Sequence, residues 1–444
     1  MMMKKRLTIG IVTGIILIIA AYVLSFFTLF PDSSTNSGKE EAKDKHVTEL
    51  TFWRNYGNSL ENRAYREIVA AFEKEHPHIK INMVSIPYGD YELKLRTEIA
   101  AGNPPDIMAI DSPNLAVYAN SGSLLSIDKQ MRAEGNMEDI PETTLMGMTY
   151  EEEIYLASIV ESGVALFYNR HIFREAGVPF PSKDQPLTWN EVVDIAKKLN
   201  NPSKEIYGID PAQGFSDGES PTYFKLPILW QFGAEVLSPD GSTAEGYLNS
   251  EEALEALQFY QDLYFTHKVA AVELPTDPFV EGHLGMSVMG SWTLADYEKS
   301  ESDFKLGKDY GIAPLPRAKN QVVPNGGWAL GISQKTDFPD EAWAFVKYAT
   351  SFEGAKKYVE ITGDIPARYS VAKEFPELNQ YPKKIFVTQA QNYSKNRPVT
   401  PAYPVVSVAI KELFEDVGIS GQNVKEAADE AIEKINNGLK AFED

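Results

Sequence analysis

The chain has 444 residues, 43% of them hydrophobic and 24% charged, enough for two or three domains that each bury a core of their own. Its formal charge of -21 argues against nucleic acid, because contact with phosphates needs clustered Lys and Arg, and it disfavours anionic lipid as well. With no cysteine, neither a disulfide nor a lipid-modified thiol is available.

Lys4, Lys5 and Arg6 precede an apolar stretch from Leu7 to Phe30, long enough to cross the roughly 30 Å hydrocarbon layer as a helix. The basic flank keeps that end cytoplasmic and sends the rest outward. No small-x-small cleavage site stands near Phe26 to Asp32, so an uncleaved transmembrane anchor over residues 1–30 is expected rather than a signal peptide. Residues 31–46, rich in Ser, Gly and charge, read as a flexible linker.

The folded part opens with a strand from His46 to Trp53 that enters the loop RNYGNS. A helix follows from Leu60 to Glu75, with Ala64, Ile68, Val69 and Phe72 at helical spacing and His76-Pro77 as its stop. Ile79 to Val84 alternates as a strand, Tyr91 to Ala101 is helical, and Asp106 to Ile110 is a short buried strand. This alternation predicts a largely parallel sheet flanked by helices. Glu153 to Asn169 reads as one long extended run, and Trp189 to Leu199 as a helix capped by Thr188. Helices follow at Thr222 to Phe232 and Ser250 to His267.

GMSVMG, Gly285 to Gly290, suits a strand buried on both faces. Trp292 then stands at the carboxyl end of that strand, ahead of a helix from Leu294 to Ser300, in the position where open α/β sheets bind ligands. Taken alone, an isolated ring here reads first as a cap on the core, and the surrounding sequence is what favours a ligand. Tyr310 to Pro314 is a strand, and Gly326-Gly327-Trp328 leads into a strand from Ala329 to Ser333 and a helix from Asp340 to Thr350. The chain ends in a helix from Val424 to Phe442 whose apolar face is Ala427, Ala431, Ile435 and Leu439.

Eight segments in order, FEKEHPHIKI, AAGNPPDI, SGSLLSID, ALFYNRHIFREAGVPFP, TWNEVVDIAKKL, the tryptophan-ended FVEGHLGMSVMGSW, GIAPLP and NGGWALGIS, resemble the extracellular solute-binding proteins of carbohydrate ABC importers. The resemblance is to family 1, which includes the maltodextrin-binding proteins, and covers Leu50 to Leu439. It implies a two-lobed α/β fold of the periplasmic-binding-protein type II, with a hinge and an inter-lobe cleft, behind the N-terminal transmembrane helix. By analogy, residues 47–160 plus 312–352 make lobe 1 and residues 161–311 plus 353–444 make lobe 2. Crossings are then expected at 159–163, at 310–313 and after Phe352. The implied partners are a carbohydrate ligand and the membrane permease subunits, with the receptor a monomer on the outer face of the cell membrane. No cofactor is implied. Members from bacteria without an outer membrane usually carry a lipid-modified cysteine, which this chain lacks, so retention would fall to the helix.

A sugar presents apolar C–H faces and a rim of hydroxyls, so its site pairs aromatic platforms with carboxylate, amide and guanidinium groups. Trp53, Arg54, Tyr56 and Asn58, placed in the loop after the first strand, are candidates, with core packing as the alternative for Trp53 and a solvated surface for Arg54 and Asn58. Asp111 follows a strand, where an Asx-turn competes with ligand contact. Glu161 interrupts an apolar run, and the family resemblance places a sugar-contacting glutamate on the corresponding crossing strand. Tyr223 and Phe224 match loosely a stacking position of that family. Trp292 and Trp328 are the foremost stacking candidates, the latter because two glycines ahead of it allow close approach of the backbone. Arg368 could reach the cleft from lobe 2 or make a surface ion pair, and Tyr403 is a weaker candidate.

The chain has no phosphate loop, GxSxG elbow or His-Glu-x-x-His pair, and its six histidines are scattered, so neither metal ligation nor nucleophilic catalysis has a scaffold. Binding without covalent chemistry is the expectation. A secreted glycoside hydrolase using Asp111 and Glu161, or a receptor feeding a sensor kinase, are the alternatives.

Overall fold

The computed structural model describes residues 47–212, 218–299 and 303–442. The expected transmembrane helix and linker lie outside these residues, and among the described residues no helix is long and apolar enough to cross a membrane.

In chain order the elements that build the site begin with β1 (Thr48–Tyr56), α1 (Ser59–Glu75), β2 (Ile79–Pro87), α2 (Tyr88–Ala101) and β3 (Ile107–Asp111). The short α3 (Glu142–Gly147) precedes β4 (Leu156–Ser158), β5 (Val160–Glu161) and β6 (Val164–Asn169). There follow α4 (Trp189–Leu199), β7 (Tyr207–Asp210), α5 (Ser220–Phe232), α6 (Glu251–Tyr264), β8 (Leu284–Gly290), α7 (Thr293–Lys299), β9 (Tyr310–Ala313), β10 (Val323–Pro324) and β11 (Trp328–Ile332). The last part holds α8 (Pro339–Thr350), α9 (Phe352–Thr362), β12 (Ile365–Pro366), α10 (Lys383–Tyr393), β13 (Ser394–Lys395), α11 (Tyr403–Glu415) and α12 (Val424–Leu439).

Two sheets organise the chain. The first has the order β2-β1-β3-β11-β4 and the second the order β9-β6-β8-β7. Neither is largely parallel as the alternation suggested. β1 runs parallel to β2 and β3, but β11 is antiparallel to both β3 and β4. In the second sheet β6 is antiparallel to β8 and β9, and only β7 and β8 run parallel. The antiparallel strands are those that return after long insertions, where periodicity carries no information about direction.

β6 shows how side-chain alternation distributes the core. Ala165 and Phe167 join the apolar cluster that includes Phe52, Ile110 and Leu330 of the first sheet. Leu166 and Tyr168 point the other way, into a second cluster with Trp189 of α4, Leu229 of α5, Leu257 of α6 and Ile410 of α11. β8 is buried at all seven positions, as expected of a strand covered on both faces. The helix caps follow the sequence: Thr188 and Glu191 close a capping box at α4, and Ala427, Ala431, Ile435 and Leu439 are the buried stripe of α12.

The extended run from Glu153 to Asn169 is broken into four short strands, of which β4 belongs to the first sheet and β6 to the second. Between them β5 pairs only with β12, Glu161 opposite Ile365 and Val160 opposite Pro366. The chain thus passes from one sheet to the other beside a second extended segment.

Candidate functional site

The ends of β1 and β3, the start of β11 and loops of the second sheet face one cavity of about 370 Å³, within the range usual for small-molecule sites. β1 contributes Asn55 and Tyr56 to it. Asp111 comes from the end of β3 and Trp328 from the start of β11. These last two are register partners, so their side chains leave the sheet on the same face. Tyr88 stands at the start of α2, while Asn58 and Glu61 come from the amino end of α1. From the other side come Glu219, Ser220, Tyr223 and Phe224 at α5, Trp292 after β8, Asp296 of α7, and Arg397.

The aromatic rings are fixed by one another. Trp328 meets Tyr91 edge-on at 5.5 Å and Tyr88 at 6.1 Å, and both tyrosines come from α2. Trp292 lies 6.2 Å from Tyr223 and 6.1 Å from Phe224. Its indole occupies the space above Gly290, where an added Cβ would come within 2.3 Å of the ring. Gly327 makes a similarly close approach: at φ +155 a Cβ there would lie 2.7 Å from the Val160 carbonyl oxygen. Both indoles are half-buried, each with part of its surface free in the cavity.

Charge concentrates on the floor. The Arg397 guanidinium donates to Asp111 Oδ1 at 2.7 Å and to Glu219 Oε1 at 2.9 Å, with Arg397 and Asp111 buried and Glu219 half-buried. It also stands 5.1 Å from the Tyr223 ring. Tyr403 and Ser407 of α11 donate to the Glu219 carboxylate from behind. Burial holds the Glu219 carboxyl above the usual carboxylate range despite Arg397, with Asp111 adding to the rise.

On one wall, Glu61 pairs with Arg54 at 2.8 Å. Burial raises its pKa, and so does burial for Asp364, to about 6, with the charge of Glu61 the next contribution. Asp296 is raised by burial alone. Glu161 accepts a hydrogen bond from Thr144 of α3, yet burial pushes its carboxyl up to about 8, so it is protonated at neutral pH. Among the described residues no group of three or more His, Cys, Asp or Glu could hold a metal ion.

Of the side chains singled out from sequence, Tyr56, Asn58, Asp111, Glu161, Tyr223, Phe224, Trp292 and Trp328 line this cavity. Their local settings differ from expectation. β1 extends to Tyr56, so Trp53, Arg54 and Tyr56 are strand residues rather than loop residues, and Asn58 caps α1 by accepting from Leu60 N and Glu61 N. Asp111 is the last residue of its strand rather than a turn residue beyond it.

Four candidates do not line the cavity. Trp53 is half-buried against the first core, with the Lys94 ammonium 5.2 Å from its ring. Arg54 is fully buried, bonded to Asn62 and Glu61 and lying 4.2 Å from the Tyr65 ring. It holds Glu61 in place. Arg368 is neither in the cleft nor in a surface ion pair: its buried guanidinium donates to the Gly135 and Thr350 carbonyl oxygens and lies 3.7 Å from Asp139. The packing of Arg368 beside α8 explains this. Tyr403 acts from behind the floor through Glu219.

Sequence reasoning missed Asn55, Glu61, Tyr88, Glu219, Asp296, Asp364 and Arg397. Glu61 and Asp296 sit in first turns, where acidic residues are common for electrostatic reasons alone. Arg397, in the polar stretch YSKNRP, gives no local sign that two carboxylates await it.

Two sheets of mixed strand direction enclosing such a cavity make a binding site for a small ligand. Residues 56–356 match the model of the bacterial extracellular solute-binding proteins, and the chain belongs to that family. It is 24% identical over 444 residues to the galactooligosaccharide-binding protein of Bacillus subtilis, covering 96% of this chain and 97% of that one. It is also 24% identical to the maltotriose-binding protein of Pyrococcus abyssi, over 83% and 78% of the two chains. Among solved structures, an ABC transporter solute-binding protein from Thermotoga lettingae bound with alpha-D-tagatose superposes with a TM-score of 0.78 at 25% identity, over 88% of this chain and 100% of that one.

Proposed function

We propose that this chain is the extracellular substrate-binding component of an ABC importer and that it holds a sugar or oligosaccharide in the cavity between its two sheets, delivering it unchanged to the permease. The observation that carries this reading is the placing of two partly free indoles, Trp292 following a strand of the second sheet and Trp328 opening a strand of the first, in one cavity rich in carboxylate, amide and hydroxyl groups. Flat apolar platforms combined with hydrogen-bond acceptors match the two faces of a pyranose. The ligands named for the relatives from Bacillus subtilis and Pyrococcus abyssi support the same class. A phosphorylated ligand fits poorly, because Arg397 is already engaged by two carboxylates.

In this reading the two sheets are the cores of two lobes and the β5/β12 pair is part of the hinge. The first crossing falls near residues 159–163. The second comes after Ala313, later than the resemblance suggests, because β9 pairs with β6 through that residue. The third comes after α9, since Tyr358 packs on Tyr65 of α1. The receptor works as a monomer, binds no nucleic acid, and is tethered by its N-terminal segment to the outer face of the membrane. The match to solute-binding proteins favours binding over the hydrolase alternative.

A thermal-shift screen of mono- and oligosaccharides tests this, since a ligand that prefers the folded state raises its melting temperature. A saccharide that raises Tm and yields no new reducing ends supports the reading. A protein unmoved by every sugar tested refutes it.

A further inference from the structure

We infer that the preferred ligand is a saccharide bearing a basic amino group, seated as an ammonium among Glu61, Asp296 and Asp364; this rests on the carbohydrate reading above and narrows it.

The lining of the cavity is unbalanced in charge. Among the described residues its acidic members are Glu61, Asp111, Glu161, Glu219, Asp296 and Asp364, and its one basic member is Arg397. That guanidinium is shared between Asp111 and Glu219. Glu161 is satisfied by Thr144. What remains is a wall of three carboxylates brought together from separate segments: the first turn of α1, the helix α7, and the turn between α9 and β12.

Electrostatic repulsion links the three. The charge of Asp296 acts on Glu61, and the charges of Glu61 and Asp296 both act on Asp364. The compensation is uneven. Arg54 stands behind Glu61, and Lys383 acts on Asp364 from beyond the cavity lining. Asp296 has no cation acting on it among the described residues.

A ligand hydroxyl can give one hydrogen to such a wall but leaves the repulsion among the carboxylates untouched. An ammonium gives up to three N–H donors and an opposite charge. A metal ion is a poor substitute, since no group of three or more acidic or histidine side chains among the described residues converges closely enough to hold one. An organic cation spaced by a sugar ring can meet carboxylates that are farther apart.

A second observation points to a donor-rich ligand. Asn55 is 3% exposed and lines the cavity, and its Oδ1 atom has no hydrogen-bond partner among the described residues. A buried carbonyl oxygen left bare costs about 1–3 kcal/mol, so a ligand N–H or O–H is its natural complement. The Tyr358 ring, edge-on to Tyr65 at 5.5 Å, adds an aromatic surface beside Asp364, where cations are also favoured.

The test is calorimetry on the full chain in mild detergent near neutral pH, with glucosamine, galactosamine and chitobiose against their N-acetyl counterparts and against glucose, galactose and cellobiose. The proposal expects at least one free amine to bind about tenfold tighter than both its counterparts, an advantage that shrinks as salt is raised. In Asp296→Asn that ratio should fall to about twofold or less. Asp296 is exposed at the rim, so the substitution spares the core. Neutral or N-acetylated sugars that bind as tightly as the amines, or a ratio unchanged in Asp296→Asn, would overturn the proposal and leave the carbohydrate reading standing. Failure of every sugar, in this set and in the wider screen, would remove both.

Discussion

Arg397 donates to Asp111 at 2.7 Å and thereby ties the end of β3 in the first sheet to the segment that follows β13. The pair is buried, and Glu219 shares the same guanidinium. Removing one partner of such a group strands the others. Arg397→Ala should therefore lose about 3–5 kcal/mol of stability, measured by urea unfolding. Adding Asp111→Asn and Glu219→Gln to that variant should recover much of the loss, because neutral amides tolerate the same burial. If Arg397→Ala unfolds at the parent's midpoint, the trio is structurally idle.

The two indoles should both contribute to affinity. Trp292→Ala and Trp328→Ala are each expected to weaken the binding of a saccharide found by the screen by about 1–3 kcal/mol, as seen in titration calorimetry. Unchanged affinity in both variants would dispose of the stacking model.

Gly290 offers an indirect check on Trp292. An added methyl would enter the volume of the indole, so Gly290→Ala should displace the ring and reproduce the binding loss of Trp292→Ala while every polar side chain of the site remains. Crystallography or tryptophan fluorescence would report the shift. A variant that binds as the parent does would mean the ring has room to adjust.

Glu161 makes stability depend on pH in a defined direction. Its folded pKa, about 8, is raised above the ordinary value of 4.5. Below about 4.5 both the folded and the unfolded states hold the proton, and the full stability is present. As pH rises toward 8 the unfolded state releases its proton while the folded state keeps it, so stability falls. Glu161→Gln, which keeps an acceptor for Thr144, should be more stable than the parent at pH 8, with the gap closing toward pH 4.5. Denaturant midpoints measured across that range would show it, and parallel curves for the two proteins would contradict it.

Much of the architecture could be read from local pattern. The helices at α1, α4 and α12 and the doubly buried strand β8 follow from spacing and caps, and those signals are local. Strand direction did not follow, because β11 and β6 pair with strands reached only after long excursions. For the site, the aromatic candidates at strand ends were legible because ring and glycine stand adjacent in sequence, as in Gly327-Trp328. The charged members were not. Arg397 meets Asp111 across 286 positions of chain, and Arg54, which looks like a ligand-binding residue beside a tryptophan, serves a glutamate seven residues on.

Trp328 and Asp111 face each other across neighbouring antiparallel strands. Since alternate residues of a strand project to opposite sides, displacing β11 by a single position would carry the indole away from the binding face while the carboxylate stayed behind. The backbone ladder of the first sheet is thus the gauge that sets the spacing between a flat apolar platform and the floor's charge, and a mutation deep in β11 could blunt recognition without touching any atom of the ligand.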